Sequence, residues 1–309
     1  MSVGTKLRLG TSVIRVGTCS WTDPTLLASG WYPEKVAKDA EDRLRYYADR
    51  FPIVENDASY YALPDAKQAV LWRDRTPEGF TMSFKAYAPI TTHPTETKRL
   101  PKDLREALPK EVREKKRLYP KDLPTDAVAE IHKRFWTALE PLRQSGKLAA
   151  ILLQYPDWFV ISRDNKQVML RAKELLPDDA LAVEFRNGTW MSERNREETL
   201  RFLTEHRFTY VSVDEPQGFP SSIPPVTAVT NEELAVIRFH GRNAENWQKK
   251  GITAAERFDY RYSKPELLEW IPRIRKVAEQ AREVHLLMNN CYGDKAVNNA
   301  HELADLLQD

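Results

Sequence analysis

Eight short β-rich runs alternate with segments of helical period along this chain, and that alternation constrains the fold more than any other feature. The runs are Ile14 to Trp21, Ile53 to Tyr61, Phe80 to Tyr87, Leu148 to Tyr155, Leu181 to Arg186, Phe208 to Val213, Leu234 to His240 and Val284 to Asn290. Between them, sets such as Ile131, Phe135, Ala138, Leu139 and Leu142, or Leu267, Ile271, Ile274 and Ala278, fall on one helical face. Repeated strand and helix units require parallel strands joined by right-handed crossovers, and eight of them close most economically into a barrel. The expected fold class is therefore α/β, a single (β/α)8 TIM-type barrel spanning residues 1–309. The competing open, doubly wound sheet lacks support, because no strand is followed by a glycine-rich phosphate loop of the dinucleotide or P-loop type.

Composition agrees with one large core: 309 residues are 41% hydrophobic, and a barrel of this kind needs roughly 250 residues before insertions. With 47 Lys plus Arg against 45 Asp plus Glu, the formal charge is +2, so any polyanion binding has to be local. No window resembles a membrane span. The stretch from Met1 to Thr18 lacks a secretory apolar region, so a cytosolic location without membrane contact is expected. Two cysteines, Cys19 and Cys291, rule out a disulfide framework and an all-cysteine zinc site.

One stretch departs from the alternation. From about 89 to 124, after the third strand, six prolines and dense charge mark an insertion expected at the barrel mouth. From Lys98 to Lys121 it carries ten Lys or Arg against four Asp or Glu, a local +6. Such a flap can cover an anionic ligand or track the phosphates of a nucleic acid; the plain alternative is a solvated short helix.

Barrel strands are covered on both faces, so polar residues recurring near their ends need a reason. Glu184 and Arg186 alternate with Val183 and Phe185; Ser212 and Asp214 with Val211 and Val213; Ser83 and Lys85 with Met82 and Phe84; Arg238, His240 and Arg242 with Ile237 and Phe239. Placing the apolar sets against the helices sends the charged sets inward. Glu55, Asn56, Gln154, Asn289 and Asn290 complete a ring of polar strand ends, the arrangement expected of a barrel active site. A self-satisfied ion-pair network, with Glu184 on Arg186 and Asp214 on Arg238, is the structural alternative.

These residues belong to a recognisable order: Gly17-Thr18-Cys19-Ser20-Trp21, Leu44 to Phe51, Val54 to Pro64, Trp72 with Thr76-Pro77, and Thr91-Thr92-His93. It continues through Leu152 to Pro156, Val183 to Arg186, Trp190, Arg238 to Arg242, and Asn289-Asn290 with Ala296 and Asn299-Ala300. Together they resemble the domain of unknown function 72 family, also called YecE-like, over almost the whole chain. The resemblance implies a (β/α)8-type barrel and brings no agreed substrate or cofactor. Cys19-Ser20 stands where Ser-Gly is usual in that family, and Tyr60 where Phe is usual. If the first and eighth strands close the barrel, Cys19 and Cys291 approach each other without being required to form a disulfide.

For catalysis, Glu184, Asp214 and His240 are the expected acid and base groups. Glu55, Asn56, Lys85, His93, Gln154, Arg186, Arg238, Arg242, Asn289 and Asn290 are expected to bind ligand. The ligand expected is an anionic small molecule, phosphorylated or nucleotide-like, and the reaction a metal-independent hydrolysis or lysis, with glycoside cleavage by paired carboxylates left open. Trp21, Trp31, Trp158, Trp190 and Trp247 are candidates for stacking on a sugar or base, or for ordinary packing. No cofactor is expected. A divalent-metal site of His93, His240, Glu55, Glu184 and Asp214 is conceivable but sparse in ligands. Two other readings stand beside the enzyme: a nucleic-acid-binding module working through Lys98 to Lys121, and a ligand-sensing barrel without chemistry.

Overall fold

The computed structural model describes residues 7–308. Its frame is eight parallel strands: β1 (Ser12–Thr18), β2 (Ile53–Asn56), β3 (Thr81–Lys85), β4 (Leu148–Gln154), β5 (Leu181–Glu184), β6 (Thr209–Asp214), β7 (Leu234–Phe239) and β8 (Glu283–Met288). Each pairs with its sequence neighbour, and β1 pairs with both β8 and β2, which closes the barrel. A short strand, Leu7–Leu9, folds back antiparallel on the first residues of β1.

Closure depends on Gly17. A β-carbon there would lie 2.1 Å from the carbonyl oxygen of Ile53, so only glycine lets β1 and β2 approach. Each of the eight expected runs overlaps one of these strands.

The main outer helices are α1 (Ala40–Ala48), α2 (Ala66–Asp74), α3 (Thr125–Ala138), α4 (Arg163–Leu175), α5 (Arg196–Glu205), α6 (Ile271–Ala278) and α7 (Lys295–Gln308). Local chemistry sets several starts: the Asp39 carboxylate accepts from the amides of Glu41 and Asp42, Asp65 from Lys67, and Ser162 from Asn165. Each helix lays a stripe on the barrel. Ile131, His132, Phe135 and Ala138 of α3 are buried, and apolar side chains in such positions contribute roughly 1.5–3 kcal/mol each when fully covered.

Strand and helix do not alternate throughout, as the sequence had suggested. The 215–233 connection from β6 to β7 has no helix, since Pro216, Gly218, Pro220, Pro224 and Pro225 deny it a helical run.

The inserted stretch after β3 is a small folded unit. Thr95–Glu96 pairs antiparallel with Arg117–Leu118, and two short helices, Lys102–Ala107 and Lys110–Arg113, lie between them. Leu100, Leu108, Leu118 and Leu123 anchor the unit to the hydrophobic core. At the opposite, N-terminal end of the barrel, Arg15 pairs with Glu283, whose carboxylate also meets His285 at 2.7 Å. No helix among the described residues is long and apolar enough to cross a membrane.

Candidate functional site

Paired residues of adjacent parallel strands share a face, so the register decides which polar groups enter the barrel. Gln154 lies beside Glu184, and Arg238 lies between Val213 and Leu287. Inward-facing polar groups on β2, β3, β5 and β7 are therefore Glu55, Ser83, Lys85, Glu184 and Arg238, followed in phase by Asp57, Arg186, His240 and Asn289.

On β6 the phase is opposite to that expected from its alternation. Val213, not Asp214, shares the face of Arg238, while Asp214 lies beside Phe239 on the helix side. The apolar pattern misleads there because the inner face of β6 is itself apolar and its outer face meets polar atoms of the covering elements.

At the centre, Arg238 is fully buried and donates to Glu184 at 2.5 Å and Glu55 at 2.6 Å, with Asp57 3.8 Å away and the Cys19 sulfur at 3.4 Å. Arg186 sits above it. Its Nε is 2.6 Å from Glu184 Oε1, an ion pair off the hydrogen-bonding line, and its terminal nitrogens reach Glu215 and Gln154 at 3.4 Å each.

His240 Nε2 lies 3.2 Å from Glu184 Oε1 and 3.1 Å from Arg186, and its Nδ1 lies 2.9 Å from the Asn289 amide nitrogen. Arg186 and the Asn289 amide both present N–H groups to the ring, and a neutral imidazole accepts from only one of them.

Burial and these cations set the protonation states. Burial raises the Glu184 carboxyl, but Arg186 and Arg238 outweigh it and hold it well below the usual carboxylate range. Burial pushes Glu55 up to about 7 against the pull of Arg238, and Glu215 up to about 7 against Arg186. Burial and the Arg186 charge lower His240 to about 3; burial, Lys85 and Arg186 do the same to His93. Both imidazoles are neutral at pH 7.

Above this floor opens a cavity of about 780 Å³, whose polar lining includes Asp57, Lys85, His93, Gln154, Arg186 and Asn289. Tyr60, Tyr61 and Trp158 form one wall, with His93 edge-on between Tyr60 and Trp158; Trp247 and Phe258 form another. Lys249, Lys250 and Arg257 complete the rim from the β7–β8 connection.

Several expected site residues stand elsewhere. Glu184, His240, Glu55 and Arg238 lie beneath the cavity lining, where they hold Arg186 and Asn289 in place. Asp214 is outside the barrel, accepting from Arg242 at 2.8 Å, the Tyr262 hydroxyl at 3.0 Å and the Trp270 indole at 2.5 Å.

Arg242 is turned to that side because Gly241, at φ +84°, breaks the strand's alternation after His240; a β-carbon there would also strike Tyr260. Asn56 accepts from the Ser59 amide in the turn after β2, and Asn290 donates to Tyr260 and Asn299. These four positions brace the loops.

Among the described residues no group of three His, Cys, Asp or Glu side chains is placed to hold a metal ion, so the conceived set of His93, His240, Glu55, Glu184 and Asp214 does not assemble. The stretch from Lys98 to Lys121 does not line the cavity either: only His93 comes from the insertion, and the rim cations come from after β7. Of the tryptophans considered, Trp158 and Trp247 line the cavity, whereas Trp21 and Trp190 are buried in the core. Cys19 and Cys291 are near neighbours with free thiols. The Cys19 amide donates to the Met288 carbonyl at 3.0 Å, and the Cys291 sulfur lies 3.7 Å from the same oxygen.

Asp57, Glu215, Tyr60, Tyr61, Phe258, Lys249 and Lys250 escaped the sequence reading. Asp57 continues the inward phase of Glu55, and Glu215 that of Val213, so the signal was present one residue beyond each strand.

A family model described as "Protein of unknown function DUF72" matches residues 15–309. The chain belongs to the DUF72 family. Similar to it is the UPF0759 protein YunF of Bacillus subtilis (strain 168), 32% identical over 298 residues that cover 96% of this chain and 95% of that protein. Among solved structures, a DUF72 family protein from Enterococcus faecalis V583 superposes with a TM-score of 0.77 at 26% identity, covering 96% of this chain and 95% of that one. Another from Thermotoga maritima MSB8 gives 0.74 at 30% identity, covering 96% and 99%. Sequence order and barrel architecture thus place the chain in DUF72 across nearly its full length.

Proposed function

We propose that the mouth cavity of this DUF72 barrel binds an anionic small molecule, phosphorylated and nucleotide-like in having a planar group beside its charge. The observation that carries this reading is the surplus of free cations around the cavity. Its lining holds Lys85, Lys249, Lys250, Arg186 and Arg257 against Asp57 and Asp157, and the three lysines have no carboxylate within 4 Å among the described residues. Lysine ammoniums facing one concavity without counter-ions favour an anion that brings its own charge. The volume suits a small ligand, within the range of about 300–1,000 Å³. Trp158, with 58% of its surface exposed, and Trp247 supply faces for a flat ring.

The buried Glu55, Arg238, Glu184 and His240 serve to fix Arg186 and Asn289. If the bound anion is hydrolysed or cleaved, proton transfer at the ligand then falls to Asp57, the carboxylate from the strand ends that lines the cavity. Calorimetric titration with AMP, ribose 5-phosphate and inorganic phosphate tests the reading. AMP should bind most tightly, and K249A/K250A should weaken it at least tenfold. Absence of heat with all three at millimolar concentration would refute anion binding here.

A second observation favours a separate reading for the insertion. Lys98, Arg105, Arg113, Lys115 and Lys116 line a cleft of about 310 Å³, and Arg105, Arg113 and Lys116 have no carboxylate within 4 Å among the described residues. A phosphate backbone running over this cleft would make the protein a nucleic-acid binder through Lys98 to Lys121. Such binding weakens by roughly 0.9 in log K per log salt for each phosphate contact on a duplex. Replacing Lys115, Lys116 and Arg117 by Ala should reduce that slope, and an unchanged slope would count against the reading.

A further inference from the structure

Every arginine near the cavity floor has carboxylate or carbonyl partners, but Lys85 does not. Arg238 takes Glu55 and Glu184; Arg186 takes Glu184 and Glu215. Lys85 ends β3, beside Leu152 of β4, and its Nζ stands 4.6 Å over the Tyr60 ring at the cavity wall. Asp57 lines the same cavity, and its Oδ1 is buried without a hydrogen-bond partner.

An ammonium enclosed beside two arginines and an aromatic face loses its proton more readily than one in water. Burial lowers Lys85 from its ordinary value, opposed first by the Asp57 charge and assisted by Arg238 and Arg186. An arginine here would bind an anion equally well, but only a lysine can become a nucleophile at neutral pH.

We propose that Lys85 forms an imine with an aldehyde or ketone carbon of a phosphorylated ligand held in this cavity. The inference rests on the anion-binding reading above and names the class of ligand for the same site. Lys85 gives a proton to Asp57 through one intervening water, because no carboxylate among the described residues lies within 4 Å of its ammonium, and its nitrogen lone pair attacks the carbonyl carbon while the C=O pair moves to oxygen. The alkoxide takes a proton from the attacking nitrogen to give a neutral carbinolamine, and Asp57 returns its own proton to the hydroxyl, which leaves as water as the C=N bond forms. In sum, an ammonium and a carbonyl give an iminium ion and one water, and the rim lysines hold the phosphate. No oxidant or further reactant is needed.

The test uses the full chain with dihydroxyacetone phosphate and sodium borohydride, which reduces an imine to a stable secondary amine. Peptide mapping by mass spectrometry should find the adduct, the ketone less water plus two hydrogens, on Lys85 in preference to all other lysines. Lys85→Arg should abolish it, and Asp57→Asn should slow its formation at least tenfold. Excess glycerol 3-phosphate, equally charged but without a carbonyl, should compete. If glycerol 3-phosphate binds but Lys85 carries no adduct, or Lys249 and Lys250 are labelled as heavily, the imine is refuted and anion binding stands. If neither phosphate ester binds, the imine is refuted, and the AMP titration decides anion binding separately. The wild-type map decides the matter even if Lys85→Arg fails to fold.

Discussion

Replacing Arg238 by Met tests whether the buried network under the cavity acts as a unit. Arg238 is fully enclosed and donates to two carboxylates, Glu184 and Glu55, that are themselves at most 1% exposed. Removing the cation leaves both without their central partner, and breaking a buried pair by deleting one member costs about 3–5 kcal/mol.

Glu55 already sits near 7 with Arg238 present, so it will be protonated in the variant and absorb part of the cost. Glu184 keeps Arg186 and remains ionised. The expected loss at pH 7.5 is therefore about 3 kcal/mol, a fall in Tm of roughly 5 °C for a chain of this length.

Thermal melts at pH 7.5 and 5.5 give the assay. The deficit should shrink at pH 5.5, where Glu55 is neutral at little cost, and Arg238→Met with Glu55→Gln should recover at least 1 kcal/mol. A deficit below about 1 kcal/mol at pH 7.5, or one equal at both pH values, would show that Arg238 does not hold these carboxylates together.

Glu215 gives a pH prediction of definite sign. Its folded value of about 7 lies above the ordinary carboxylate value, so the folded protein holds a proton that the unfolded chain releases between about 4.5 and 7. Its contribution falls as pH rises through that window, and Glu215→Gln should therefore gain about 1–3 kcal/mol over wild type at pH 8 while matching it near pH 4.5, as denaturant midpoints will show. His240 acts oppositely. Lowered to about 3, it makes stability rise with pH from about 3 to 6.5, and His240→Gln should flatten that rise in acid melts. Gly17→Ala should cost about 3 kcal/mol or more, because its new carbon meets Ile53 backbone and not a movable side chain; a Tm within 2 °C of wild type would contradict this. Asp214→Asn should lower the Tm by loosening Arg242 and Trp270 while leaving AMP affinity in calorimetry within threefold.

The barrel was legible because eight apolar runs at parallel-sheet spacing admit few other solutions, and all eight overlap strands. The site was legible where alternation survives to the strand end, as at Glu184 to Arg186 and Arg238 to His240. It misled at Asp214, because an apolar inner face on β6 reverses the simple rule, and at Arg242, because the positive φ of Gly241 reverses direction without changing the hydropathy pattern. Lys249 and Lys250 were hidden for a different reason: residues of a long loop have no period, and only folding brings them to the cavity that Lys85 lines. The Lys98 to Lys121 charge was visible, but the leucines that pin the insertion set where it lies, and it forms its own cleft instead of covering the cavity.

A crystal structure of the protein soaked with AMP tests the central claim most directly. The phosphate should lie within hydrogen-bonding distance of Lys249 or Lys250 and Arg186, with the adenine against Trp158 or Trp247. A cavity empty of nucleotide at saturating concentration, or a phosphate bound only between Arg105, Arg113 and Lys116, would contradict it.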